Sequence, residues 1–168
     1  MAETPIADRL RAMNPGNPQY ATDVVDALLA AAVDVRASDV HIHPIECGLD
    51  VRWRIDGVLQ PVATLPRPGA PNVVARLKVL AELLTYRTDV PQEGRIRRSP
   101  GRVEMRLSTF PTLHGEKAVV RLFAGPGQFL ILDDLGLPEE VRDTLSRLLN
   151  ETSGAIVLAG PAGSGKTT

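Results

Sequence analysis

The chain has 168 residues, 43% hydrophobic and 23% charged, enough for one full domain and part of another. Its 19 Lys plus Arg against 20 Asp plus Glu give a formal net charge of −1, which excludes the overall positive pull of a nucleic-acid binder or a protein held on anionic lipid. A single cysteine, Cys47, excludes an internal disulfide and a cysteine-rich metal site, and suits a reducing compartment.

The opening "MAETPIADRLRAMNPGNPQY" has no apolar core behind basic residues, so it is not a secretory signal. Nowhere does an apolar run approach the roughly 20 residues that span a bilayer. The chain therefore reads as cytoplasmic. Two prolines and a glycine in "NPGNP" discourage a continuing helix, and residues 1–21 read as a tail or linker. Next, Thr22 or Asp23 can cap a helix whose apolar positions Val25, Leu28, Leu29, Ala32 and Val33 have helical spacing.

"SDVHIHP" then alternates, with Val40 and Ile42 on one face and Asp39, His41 and His43 on the other. In "LDVRWRIDGVLQPV", Leu49, Val51, Trp53 and Ile55 oppose Asp50, Arg52, Arg54 and Asp56, and Asp56-Gly57 is a hairpin turn signal. A helix is predicted over residues 71–87, with Val73, Val74, Leu77, Leu80, Ala81 and Leu84 as its apolar stripe. "GRIRRS" and "RVEMRLSTF" follow as strands joined by Ser99-Pro100-Gly101, and "LHG" turns the chain into "EKAVVRLF". Residues 22–123 thus read as one α+β domain on an antiparallel sheet. "AGPGQ", residues 124–128, marks a linker; beyond it Pro138 suits the first turn of a helix carrying Val141, Leu145, Leu148 and Leu149.

A buried strand over residues 155–159 is predicted to run into "GPAGSGKT", which matches GxxxxGK[ST], the P-loop pattern. In such a loop, small residues turn backbone N–H groups inward around the phosphates of ATP. Gly160, Pro161, Ala162, Gly163, Ser164, Gly165, Lys166, Thr167 and Thr168 are the candidate nucleotide-binding residues. Lys166 would reach the β and γ phosphates, and Thr167 would place its hydroxyl on Mg2+.

Arginines form a second constellation: Arg95, Arg97, Arg98, Arg102, Arg106 and Arg121. Their planar donors suit phosphate recognition, but Arg102, Glu104 and Arg106 opposite Val103, Met105 and Leu107 also describe an ordinary solvated strand face. His41 and His43 have a spacing compatible with metal ligation but no third ligand at a telling distance, so they read as ordinary strand residues. His114 sits in a turn, and Cys47 is a small loop residue.

In order and spacing, "ASDVHIHP", "VRWRIDGVL", "VPQEGRI", "RLSTFPTLHGEKAVVRL", "LDDLGLP" and "GAIVLAGPAGSGKTT" resemble the secretion ATPases of type II secretion and type IV pilus assembly. The similarity covers residues 37–168, and "PTLHGEK" is more similar to the secretion and pilus-extension branch than to the retraction branch. The resemblance implies a homo-hexameric ATP hydrolase in the cytoplasm, peripheral at the inner membrane through platform and assembly proteins of a secretion or pilus system. It implies a PAS-like small domain over residues 22–123 and a linker over residues 124–133. It also implies an α/β RecA-like core over residues 134–168, truncated after the P-loop, or Walker A. In this family, arginines of the small domain can swing onto the phosphates of ATP; Arg95 in "PQEGRI" and Arg106 in "EMRLST" hold those motif positions. Arg54 in "WRIDG" matches too, with a structural role implied.

There are departures. His43 stands where the family commonly carries glutamate, and residues 1–21 leave little room for the additional N-terminal domain of many members. The acidic box, Walker B segment, histidine box and zinc-binding cysteines would lie after Thr168, so the chain alone is expected to be inactive; the uncovered apolar face of its last helix and the open edges of its terminal strand imply poor solubility or self-association. The alternative is a non-catalytic assembly module whose P-loop is idle.

Overall fold

The computed structural model describes residues 6–97, 100, 103–123 and 131–160. The chain divides into two compact units, Met1–Phe123 and Ala124–Thr168.

Alternating apolar residues build the sheet of the first unit. Its strands are β1 (Asp39–Ile45), β2 (Gly48–Ile55), β3 (Val58–Pro66), β4 (Gln92–Ile96), β5 (Glu104–Thr112) and β6 (Gly115–Phe123). All neighbours are antiparallel, in the order β3-β2-β1-β6-β5-β4. Val40, Ile42, Leu49, Val51, Met105, Leu107, Ala118 and Val120 turn to one face and are buried there. Helices α2 (Tyr20–Asp34) and α3 (Ala70–Leu80) supply Val24, Leu28, Leu29, Val73 and Leu77 to the same core. The opposite face carries the polar residues of the strands, and that division sets up the candidate site.

Tight turns fix the register. Asp56 (φ 49°) and Gly57 (φ 80°) join the paired Ile55 and Val58, so both central residues take the left-handed backbone that a two-residue hairpin needs. Leu113 and His114 make the equivalent link between Thr112 and Gly115.

Three local expectations are corrected. Residues 6–12, read as tail, form helix α1 (Ile6–Ala12), whose Leu10 is 1% exposed; Ile6, Leu10 and Met13 make a short apolar stripe against the core. Helix α2 starts at Tyr20 rather than behind a Thr22 or Asp23 cap, because Asn17 holds the turn before it. The Asn17 carbonyl accepts from the Tyr20 N–H at 2.9 Å, and its side-chain oxygen accepts from the Gln19 N–H at 2.9 Å. Helix α3 stops at Leu80 instead of continuing to residue 87. There the N–H groups of Glu82 and Leu83 bond back to the carbonyls of Val79 and Lys78, with Glu82 left-handed at φ 57°, a Schellman closure built without glycine. Leu84, expected in the stripe, is exposed.

In the second unit, a 3-10 turn (Leu132–Leu135) ends at Gly136, and Pro138 precedes helix α4 (Glu139–Leu149). None of its described residues is buried. The strand expected over residues 155–159 is not formed, and Val157 is 85% exposed. A strand exists by pairing, and none of the described strands pairs with these residues.

Candidate functional site

On the outer face of the sheet, alternation sets one arginine on each of three adjacent strands. Arg95 precedes the buried Ile96, Arg106 lies between the buried Met105 and Leu107, and Arg121 lies between Val120 and Leu122. The register aligns them. Arg95 pairs with Arg106, Arg106 with Arg121, Arg121 with Asp39, and Asp39 with Arg54. One lateral row therefore crosses five strands with four guanidinium groups and one carboxylate.

Two carboxylates hold the row. Glu104 Oε1 accepts from Arg106 Nη2 at 3.3 Å and Nε at 3.4 Å, and its Oε2 lies 3.6 Å from Arg95 Nη2. Arg106 also stacks 5.0 Å over the Phe123 ring. At the other end, Asp39 Oδ1 accepts from Arg121 Nε at 3.0 Å, and its Oδ2 accepts from Ser38 Oγ at 2.8 Å and lies 3.5 Å from Arg54 Nε. The side chain of Asp39 is only 8% exposed, against 67% for Arg95, 55% for Arg106 and 65% for Arg121. Arg54 donates from Nη1 to the Gly57 carbonyl at 2.8 Å, so it is anchored in the β2–β3 turn.

The six arginines grouped by sequence are thus separated. Arg95, Arg106 and Arg121 stand together; Arg97 pairs with Glu82 at 3.0 Å; Arg98 and Arg102 lie outside the described residues. Of the P-loop, Gly160 is described, exposed and without regular structure. Pro161, Ala162, Gly163, Ser164, Gly165, Lys166, Thr167 and Thr168 lie outside the described residues. Among the described residues no three His, Cys, Asp or Glu side chains could hold a metal, and no helix is long and apolar enough to cross a membrane. His41 has a buried Nε2 without a partner, and burial lowers its pKa below the ordinary imidazole value.

Sequence reasoning missed the anchoring of the segment that leads into β4. Lys78 is fully buried in the apolar stripe of α3, and its ammonium spends its donors on Glu116 Oε1 (2.9 Å), Glu116 Oε2 (3.0 Å) and the Arg87 carbonyl (2.6 Å). Gln92 clamps the same loop, donating to the carbonyls of Leu84 and Arg87 and accepting from the Leu84 N–H. The segment leading into β4 is therefore fixed at both ends. A lysine inside an apolar stripe is the signal that could have found it.

A family model described as type II/IV secretion system protein matches residues 17–168. The type II secretion system ATPase E of Vibrio cholerae is 41% identical over 147 residues, covering 86% of this chain and 29% of that protein. The type IV pilus assembly ATPase PilB of Acinetobacter baylyi is 37% identical over 146 residues, covering 85% of this chain and 25% of that protein. The pilus retraction motor PilT with bound ADP gives a TM-score of 0.44 at 19% identity, covering 70% of this chain and 33% of that one. The chain therefore spans less than a third of the length of these curated relatives.

Proposed function

Because the chain belongs to the type II/IV secretion system protein family, we propose that it is part of an ATP-hydrolysing hexameric motor that powers type II protein secretion or type IV pilus assembly. The motor works in the cytoplasm, held at the inner membrane by platform and assembly proteins. Residues 22–123 serve as its PAS-like small domain, and the stretch from residue 134 begins its RecA-like core.

ATP is the substrate. Gly160, Gly163 and Gly165 let backbone N–H groups surround its phosphates, Lys166 neutralises the β and γ groups, and Thr167 holds the accompanying Mg2+. Arg95 and Arg106 act on the phosphates of ATP during turnover. The observation that carries this reading is their direct pairing on neighbouring strands, both exposed on one face. ATP and ADP make different contacts with such a pair, which is what couples hydrolysis to domain movement.

Phosphate release and ATP binding by the native protein test the proposal. Lys166→Ala abolishes ATP binding, whereas Arg95→Ala keeps binding and lowers turnover by about a thousandfold. Unchanged turnover in Arg95→Ala removes the phosphate role of that arginine. Retained ATP binding in Lys166→Ala makes the P-loop idle and leaves an assembly module.

A further inference from the structure

We propose that the cleft between the β1–β2 turn, helix α3 and the β5–β6 turn is a preformed site for an extended peptide of a partner protein, one that alternates apolar and basic residues. The cleft shares no residue with the P-loop or with the arginine row, so it stands apart from the ATP reading.

The cleft holds about 690 Å3, within the range of ligand sites. A buried ion pair shapes two of its sides. Lys78, with no exposed surface, donates to both oxygens of Glu116, which lines the cleft, and to the carbonyl of Arg87 in the loop after α3. Gln92 grips Leu84 and Arg87 in that loop, to either side of Thr85, which lines the cleft with Thr88. A buried ion pair adds little stability over apolar residues of the same volume. Its effect here is to fix the sides of an open cleft before anything enters, which lowers the cost of ordering on binding.

Those sides differ in chemistry. Helix α3 contributes Ala70, Pro71, Val74 and Ala75, an apolar strip with spacings of three and four. The loop and the β5–β6 hairpin contribute Thr85, Thr88, Thr112 and Glu116. Lys78 takes one acceptor site on each Glu116 oxygen, and a carboxylate has about four, so what this side still accepts is hydrogen-bond donors. Among the described lining residues, Glu46 and Glu116 stand against a single arginine or lysine, Arg67, whose Nη1 donates to the Glu46 carbonyl at 3.3 Å. That balance favours a basic ligand over an acidic one. Leu113, 93% exposed in the β5–β6 turn, is apolar area that a polypeptide would cover and a small polar solute would not. Successive side chains of an extended chain point to opposite sides, so one peptide sets apolar residues against α3 and lysines toward Glu116.

Fluorescence anisotropy of a labelled nonapeptide of alternating valine and lysine, titrated with the 168-residue chain, tests this. The peptide binds, and replacing its lysines by glutamate or its valines by serine weakens binding about tenfold in each case. Ala75→Gln, which fills the cleft from a half-buried helix position without adding charge, also weakens it about tenfold. Glu116→Gln does the same; if that variant does not fold, Ala75→Gln and the glutamate peptide decide. No binding of the valine-lysine peptide, or equal binding in Ala75→Gln, overturns the site. Equal affinity of the glutamate peptide overturns the basic preference, and equal affinity of the serine peptide overturns the apolar side. Self-association of the chain that sedimentation shows to be lost in Ala75→Gln gives the cleft to a second copy and overturns the proposal as well.

Discussion

His41 lies mid-strand on β1 with its Nε2 buried and without a hydrogen-bond partner. Burial is the main force lowering its pKa; Arg54, Lys117 and Arg121 add to it, and Asp39 opposes them. A histidine that resists protonation in the fold takes up its proton first in the unfolded chain, so its contribution is intact above the unfolded pKa of about 6.5 and is lost as pH falls below it. The melting temperature should therefore fall between about pH 7 and pH 5, and His41→Gln should flatten part of that slope. An unchanged slope in the variant would assign the effect elsewhere. At this scale the sequence was partly legible. Arg95, Arg106 and Arg121 were grouped by sequence with Arg97, Arg98 and Arg102, and only the register shows that those three share one row. Asp39 and Glu116 were not legible as partners, because their arginine and lysine lie 82 and 38 residues away in the chain.

Elements were legible where one physical signal dominates. Strict alternation placed β1 and β2, and the Asp56-Gly57 turn placed the hairpin between β2 and β3. Helix ends were less so, because closure depends on backbone geometry that an apolar stripe does not encode; α3 stops at Leu80 although Ala81 and Leu84 continue the pattern. That closure has a consequence for β4. An added Cβ at Gly94 would lie 2.6 Å from the Ala81 carbonyl oxygen and 2.9 Å from Leu83 Cδ2. The end of α3 rests on a glycine immediately before Arg95. Gly94→Ala should cost about 1–3 kcal/mol, read as a lowered urea midpoint, because backbone rather than a flexible side chain must move. Wild-type stability in that variant would mean that the contact yields without strain. Lys78 and Gln92 anchor the same loop, so its strain falls on β4.

For the whole molecule, the two units differ in what each buries. The first has a continuous core drawn from its strands and helices, while the second buries none of its described residues. The predicted strand over residues 155–159 shows why sequence reading failed there: an apolar run signals burial, but burial requires a neighbour. Helix α4 is in the same position. It has 11 residues, and helices shorter than about 12–15 residues are marginal in water unless an apolar face is packed. Its Val141, Leu148 and Leu149 are exposed. In the 168-residue chain, hydrogen exchange should be fast throughout α4 and slow in β1, β5 and β6, whose amides open only with global unfolding. A chain ending at Phe123 should keep that slow set and unfold in one transition, since its core is drawn from residues within it. Amides of α4 as protected as those of β1 would show that the second unit has found a packing partner, by self-association or otherwise. Comparing the exchange at several protein concentrations separates those two, because only self-association makes the protection depend on concentration.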